Sequence, residues 1–464
     1  MKSPMEAVSL RLWIRTGLTV FWIAALGIFF RWWEVTLTLP PVLLWTAMFV
    51  ALFAATAGCV HGRAVLDRRH EVWKRPALWV ALVLVALIGF SAFPEVSIRG
   101  QSVRTVAFAG VLDVVLPGWV FLSALTLLWE GPARWGVLAA VAVILLFGVW
   151  GFVIRMPGTS FVGPLQSLTA EQQERRDALE AHVHRLSSEI GERNDGKLEA
   201  LRDTERYIDS VLVELGYEVR TQEFEVGGIL FRNLEVEIPG ASRPDEIVVV
   251  GAHYDTVEGT AGADDNASGS AGVLELARMF APALATESLA RTLRFVLFVN
   301  EESPFFNTEW MGSRVYAARS AERDENIVAM ISLETIGYYS TEPGSQRYPP
   351  PFSFFYPDRG DFVGFVGNLG SGGLVRQALG AFREHARFPS QGVSSPSWIP
   401  GITWSDHASF WHHGFKAIMI TDTAPFRNPF YHTSGDTIDK LDFDRMTSVV
   451  DGIAAVVRVL ASQP

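Results

Sequence analysis

Five largely apolar stretches, at about 13–30, 42–60, 78–93, 106–129 and 135–154, fill most of the first 155 residues, and nothing comparable recurs afterwards. A helix that crosses a bilayer needs roughly 20 mostly apolar residues, so each stretch is expected to span a membrane. From Glu171 onward, charged and apolar residues mix as in an ordinary globular domain. The chain is therefore expected to divide into a multi-span transmembrane region over 1–160 and a catalytic domain over 161–464. The first part accounts for the 49% hydrophobic content, high for a purely soluble protein.

The fourth stretch carries Asp113 and Pro117. An ionisable group at that depth is costly. With no second charge beside it, Asp113 is read as facing a helix partner or lying near an interface. Lys2 and Arg11 precede the first stretch and Arg15 lies at its start, and Arg63, Arg68, Arg69, Lys74 and Arg75 follow the second; basic loops stay cytoplasmic. Five crossings then make an integral membrane protein whose domain after Arg155 lies on the periplasmic or extracellular side, with the lipid bilayer as a partner. No small-residue cleavage site closes the first stretch, so it is not read as a signal peptide. The net charge of −11 argues against a nucleic-acid partner, which needs a basic face. The single cysteine, Cys59, allows neither an intramolecular disulfide nor a cysteine metal site. Oligomeric state has no signature in the sequence.

In the second half, Leu179, Val183, Leu186 and Ile190, then Leu198, Leu201, Tyr207, Ile208, Val211, Leu212 and Leu215, recur at helical spacing, interrupted at Gly191 to Gly196. This predicts a helical pair. Gly216 stops it, and Tyr217, Val219, Phe224 and Val226 predict an edge strand or hairpin. Continuous apolar runs at 247–250, 293–299, 327–333 and 417–420 have strand length, and helical patterns at 273–280, 374–382 and 443–460 separate them. The fold class expected is α/β, with a mixed, mostly parallel sheet covered by helices on both faces.

Such sheets collect ligands at the carboxyl ends of their strands. The first run leads into Gly251-Ala252-His253-Tyr254-Asp255, the second into Asn300-Glu301-Glu302, and the third into Glu334. Loops over 262–269 and 431–436 add Asp264, Asp265, Asn266 and His432. Taken singly, each has an ordinary reading: His-x-Asp as a hydrogen-bonded pair, Asn266 or Ser268 as a helix cap, His432 as a loop histidine. Adjacent Glu301 and Glu302 are harder to dismiss, because neighbouring carboxylates repel unless a cation or buried hydrogen bonds compensate. Together the segments bring His, Asp, Glu and His towards one sheet edge. That mixture suits zinc, and one carboxylate more than a single ion needs suggests two metals about 3.5–4 Å apart.

The series GAHYDT, GADDNASG, FVNEES followed by MGSRVYA, SLETIGY and YHTSGDT resembles the motifs of the co-catalytic di-zinc aminopeptidase and glutamate carboxypeptidase family, from roughly Leu179 to the C-terminus. The resemblance implies a zinc-exopeptidase-like domain that removes the N-terminal residue of a peptide substrate with a metal-activated water. It implies two Zn2+ ions, bridged by Asp265, with His253 and Glu334 on one and Glu302 and His432 on the other. Glu301 is then the general base, and Asp255 holds the His253 ring. Two departures stand out. Glu334 replaces the aspartate of many relatives, and Ile402, Thr403 and Trp404 stand before Ser405-Asp406-His407 where some relatives have a tyrosine that helps the oxyanion. His407 is read as structural or supporting. The same fold also admits a single-zinc glutaminyl-cyclase-like acyltransferase and a non-catalytic receptor-like scaffold, although here every ligand position is filled. Aminopeptidase is the commonest outcome of these motifs; dipeptidase and carboxypeptidase share them. The stretches 338–365 and 388–404, with Phe354, Phe355, Tyr356 and Trp398, are candidate walls of a pocket for an apolar side chain, or an extended loop on the surface.

Overall fold

The structure, a computed structural model, describes residues 97–98, 101–102, 150–284, 289–349 and 352–462. The β-branched and aromatic runs form β1 (Arg220–Val226), β2 (Ile229–Ile238), β3 (Arg243–His253), β4 (Arg291–Phe298), β5 (Asn326–Glu334), β6 (Val363–Asn368), β7 (Ser390–Ser395) and β8 (Ala417–Thr421). They make one eight-stranded sheet in the order β1-β2-β4-β3-β5-β8-β6-β7. The central strands β4, β3, β5 and β8 are parallel. At one side β2 joins β4 antiparallel and pairs with β1 in a hairpin; at the other, β6 joins β8 antiparallel and β7 follows it in parallel. The sheet is mixed, as expected. Gly227 and Gly228 turn the hairpin at positive φ, where a residue without Cβ carries no penalty.

The flanking helices are α1 (Ala170–Val183), α2 (Leu198–Glu214), α3 (Gly269–Phe280), α4 (Gly312–Glu322), α5 (Gly372–His385) and α6 (Phe443–Ser462). Alternation along β3 shows why both faces are covered. Val248, Val250 and Ala252 join the main core with residues of α1, α2, α3, α5 and α6. Ile247 and Val249 point the other way, into a smaller core with Tyr316 and Ala317 of α4 and Phe410. A strand buried on both sides has no polar phase to show, which is why it reads as a continuous apolar run. The helical pair α1 and α2 is present. Thr169 starts α1 with a capping box: its Oγ1 accepts from Gln172 N–H at 3.3 Å, and Gln172 Oε1 accepts from Thr169 N–H at 2.9 Å.

The expected bundle of about five transmembrane helices is corrected, and with it the bilayer partner and the integral-membrane placement on the periplasmic or extracellular side. Among the described residues no helix is long and apolar enough to cross a membrane. The stretch 135–154 is described only from Trp150, as a helical turn over Trp150–Ile154; 135–149 lie outside the described residues. Helix α6 does have 20 residues, but Asp444, Arg445, Asp451 and Arg458 interrupt it, and its apolar side lies in the main core. The stretches 13–30, 42–60, 78–93 and 106–129, with Cys59, Asp113 and Pro117, lie outside the described residues.

Candidate metal centre

Parallel neighbours end at one edge, and the topology uses this to gather the carboxylates and the first histidine. β3 ends at His253 and β5 at Glu334, while the turn after β4 presents Glu301 and Glu302. These four residues are buried, with Glu334 the most accessible at 4%. Asp265 arrives from the loop before α3. Gly262 opens that loop at φ +59°, where a Cβ would stand 2.4 Å from the Asp265 carbonyl oxygen, so only glycine fits. Asn266 ties the loop down: its Nδ2 donates to Leu333 O at 2.8 Å and its Oδ1 accepts from Thr335 N–H at 3.1 Å and Gly269 N–H at 3.0 Å. The capping role expected of Asn266 and the placing of Asp265 are thus one arrangement. Asn300, Thr335 and His432 all adopt positive φ, strained backbone concentrated around the site.

The five expected ligands meet in two groups that share Asp265. His253 Nε2 lies 3.2 Å from Asp265 Oδ1 and 3.4 Å from Glu334 Oε2. His432 Nε2 lies 3.0 Å from Asp265 Oδ2 and 3.2 Å from Glu302 Oε1. In each triad the candidate donor atoms lie within 4.8 Å of one another. Among the described residues, Nε2 of His253, Nε2 of His432 and Oε1 of Glu302 are buried and find no hydrogen-bond partner. Buried polar atoms normally have partners, and unpartnered imidazole and carboxylate atoms gathered in this way could serve as donors to a cation. Imidazole with carboxylate fits zinc.

Electrostatics agree. Burial opposes an imidazolium at His432, but Glu302 and Asp265 outweigh it and push the pKa up to about 10. At His253 burial again opposes, and the Glu334 and Glu301 carboxylates raise the pKa well above the usual value. The acidic cluster calls for positive charge at both rings, and a metal ion supplies it by displacing the protons.

Asp255 stands where its expected role requires. The His253 Nδ1 is 3.2 Å from the Asp255 carbonyl oxygen and 3.5 Å from its Oδ1. A carbonyl only accepts, so Nδ1 carries a proton, and Nε2 is the atom left to offer a lone pair once a metal displaces its own proton. The same carboxylate accepts Glu301 N–H at 3.1 Å and Glu302 N–H at 3.0 Å. One side chain therefore fixes both a ligand and the turn beside it. Removing such a support typically costs about 10–100-fold in metal affinity; Asp255→Ala is expected to show that loss in competition with a chromophoric chelator, and wild-type affinity would mean the ring is held by packing alone.

Sequence reasoning missed other supports. Asp436 accepts the N–H groups of Asp264 at 2.9 Å and Asp265 at 3.1 Å; it stood in the YHTSGDT motif without a role. Arg193, fully buried, donates to the carbonyls of Tyr254 at 2.7 Å, Ala261 at 2.7 Å and Gly262 at 2.9 Å, joining the break between α1 and α2 to the segments that carry His253 and Asp265. Its only signal was its place in that break. His407 lies apart from the ligands, with Nε2 at 2.8 Å from Ile402 O; burial pushes its pKa down to about 4, as suits a neutral packing histidine.

A pocket of about 780 Å³, open mouth included, begins at Glu334 and Tyr431 and runs between Phe352, Tyr356, Trp404 and Phe426. Tyr431 stacks on the His432 ring at 3.9 Å. Tyr356 turns its hydroxyl to Gly392 O at 2.8 Å and so presents its ring. Among the described residues, Glu334 is the only charged one on the wall. The two expected stretches do build it, and Tyr356 is part of it, but Phe354, Phe355 and Trp398 are not. The turn Phe352–Phe354 buries Phe352 and leaves Phe354 84% exposed.

A family profile described as Peptidase family M28 matches residues 233–457, which include every ligand candidate. The chain is 40% identical over 287 residues to the Escherichia coli K12 protein YfbL, covering 60% of this chain and 86% of that one. It is 30% identical over 240 residues to a probable leucine aminopeptidase 1 of Trichophyton verrucosum, covering 48% of this chain and 56% of that one, so it spans little more than half of that relative. In fold it resembles BSAP, a zinc aminopeptidase from Bacillus subtilis, with a TM-score of 0.51 at 16% identity over 62% of this chain and 95% of that one.

Proposed function

The chain belongs to peptidase family M28, and from that premise we propose that this zinc metallopeptidase is a two-ion aminopeptidase. His253, Asp265 and Glu334 hold one ion; Asp265, Glu302 and His432 hold the other. The observation that carries the reading is Asp265, which turns one carboxylate oxygen to each histidine, at 3.2 and 3.0 Å. Each histidine thus heads its own triad, and the two triads share only Asp265.

Zinc in these positions supplies Lewis acidity, lowering the pKa of water and polarising a carbonyl. The chain supplies the proton path. Glu301, buried beside His253, takes the proton of the attacking water and passes it to the amine nitrogen as the scissile carbon–nitrogen bond breaks. Its turn is pinned by the Asp255 carboxylate, so the base does not have to be ordered at the moment of reaction. The apolar pocket takes the side chain of the N-terminal residue, and the carboxylate cluster at its mouth favours a free α-amine. Among the described residues the wall carries no charge besides Glu334, which is assigned to the ion, and burying a charged side chain unpaired is costly.

The test is zinc content of the full chain together with chromophore release from aminoacyl arylamides. Two zincs per chain are expected, with chelator-sensitive cleavage of leucyl and phenylalanyl substrates at least about tenfold faster than of glutamyl and lysyl ones, a difference of about 1.4 kcal/mol. One zinc with cyclisation of an N-terminal glutamine would favour the cyclase chemistry. Absence of both zinc and cleavage would favour a scaffold.

A further inference from the structure

Glutamate at the end of β5 is one methylene longer than aspartate and has one more rotor to fix. The structure holds it with two serines. Ser332 lies two residues earlier on β5, so the strand period turns its side chain to the same face as Glu334. Ser405 comes from the loop before the short helix His407–Trp411. Its Oγ donates to Glu334 Oε2 at 2.7 Å and lies 2.8 Å from Ser332 Oγ. A hydroxyl has one proton. Ser405 gives its proton to the carboxylate, so Ser332 must be the donor to Ser405, and the three groups form a directed relay from Ser332 through Ser405 to Glu334. Both serines are fully buried, which leaves water little access to compete for these bonds.

The relay acts on one half of the centre. The oxygen that accepts from Ser405 is the one 3.4 Å from His253 Nε2, and His253 is itself held by Asp255. In the other half, Glu302 Oε1 makes no hydrogen bond, and His432 retains 19% side-chain exposure. Donors fixed before the ion arrives need not be ordered by it. We propose that Ser332 and Ser405 are positioning residues for Glu334, and that their relay makes the His253–Glu334 half the tighter of two unequal zinc positions. The inference rests on the two-ion reading.

Stepwise titration of the metal-free full chain tests it, with zinc against a chromophoric chelator and with cobalt followed by its visible spectrum. Wild type is expected to fill in two resolved steps. Ser405→Ala should weaken the tighter step by about 10–100-fold and leave the weaker step in place. Ser405→Thr, which keeps the hydroxyl, should restore it. Glu334→Asp withdraws the carboxylate from Ser405, so adding Ser405→Ala to it should change nothing further. If Ser405→Ala fails to fold, Ser332→Ala, which removes only the outer hydroxyl, should show a smaller loss in the same step. Two ions in wild type with the tighter step unaltered in these serine variants would overturn the relay alone. A single ion in wild type would overturn the two-ion reading and the inequality with it.

Discussion

Glu301→Gln is expected to lower kcat by about 10²–10⁴-fold, the usual contribution of a positioned proton acceptor, while both zincs stay bound. Glu301 also falls within reach of a metal group with His253 and Glu302, and its longer distance is what favours the role of base. Glu301 Oε2 stands 3.9 Å from His253 Nε2, whereas the assigned ligands approach the imidazoles at 3.0 to 3.4 Å. Glutamine has the same shape, and the backbone N–H of residue 301 keeps its bond to Asp255, so the turn should not move. What disappears is a group that accepts a proton and later returns it. Because that interaction belongs to the transition state, kcat and kcat/KM should fall together, with KM little changed. Zinc content measured beside the kinetics decides the matter: loss of one ion would exchange the roles of Glu301 and Glu302.

The convergence of these side chains was legible in the sequence because topology does most of the work. A continuous apolar run marks a strand buried on both faces, and a residue just past such a run must lie at the sheet edge; His253, Glu302 and Glu334 all follow that rule. Asp265 and His432 sit on loops, and only the order of motifs pointed to them. The supports were not legible, since they join positions with no shared period: Ser405 and Glu334 are 71 residues apart, and Arg193 and Ala261 are 68 apart. Nor could sequence tell which aromatics of 338–365 face inward, because one short turn buries Phe352 and exposes Phe354. Hydropathy records that a segment is apolar without saying what covers it. Helix α6 reaches the length of a span and is covered by protein.

Asp265→Ala should be the most damaging single change to metal binding, because it takes one oxygen from each histidine. Both ions are expected to be lost on dialysis, along with activity, and Asp265→Asn, whose amide offers one oxygen, should keep at most one. The effect on stability has two signs. In the metal-free chain, Asp265 crowds an already acidic cluster, so the alanine variant without zinc should melt no lower than metal-free wild type. With zinc the order reverses. An ion present at a thousandfold excess over its dissociation constant stabilises the folded state by about 4 kcal/mol, a shift on the order of 10 °C for a domain of this size. Wild type should gain that shift and Asp265→Ala should not. A melting temperature that still rises with zinc in the alanine variant would mean that each half holds its ion without the shared carboxylate, and the two positions would then be independent sites.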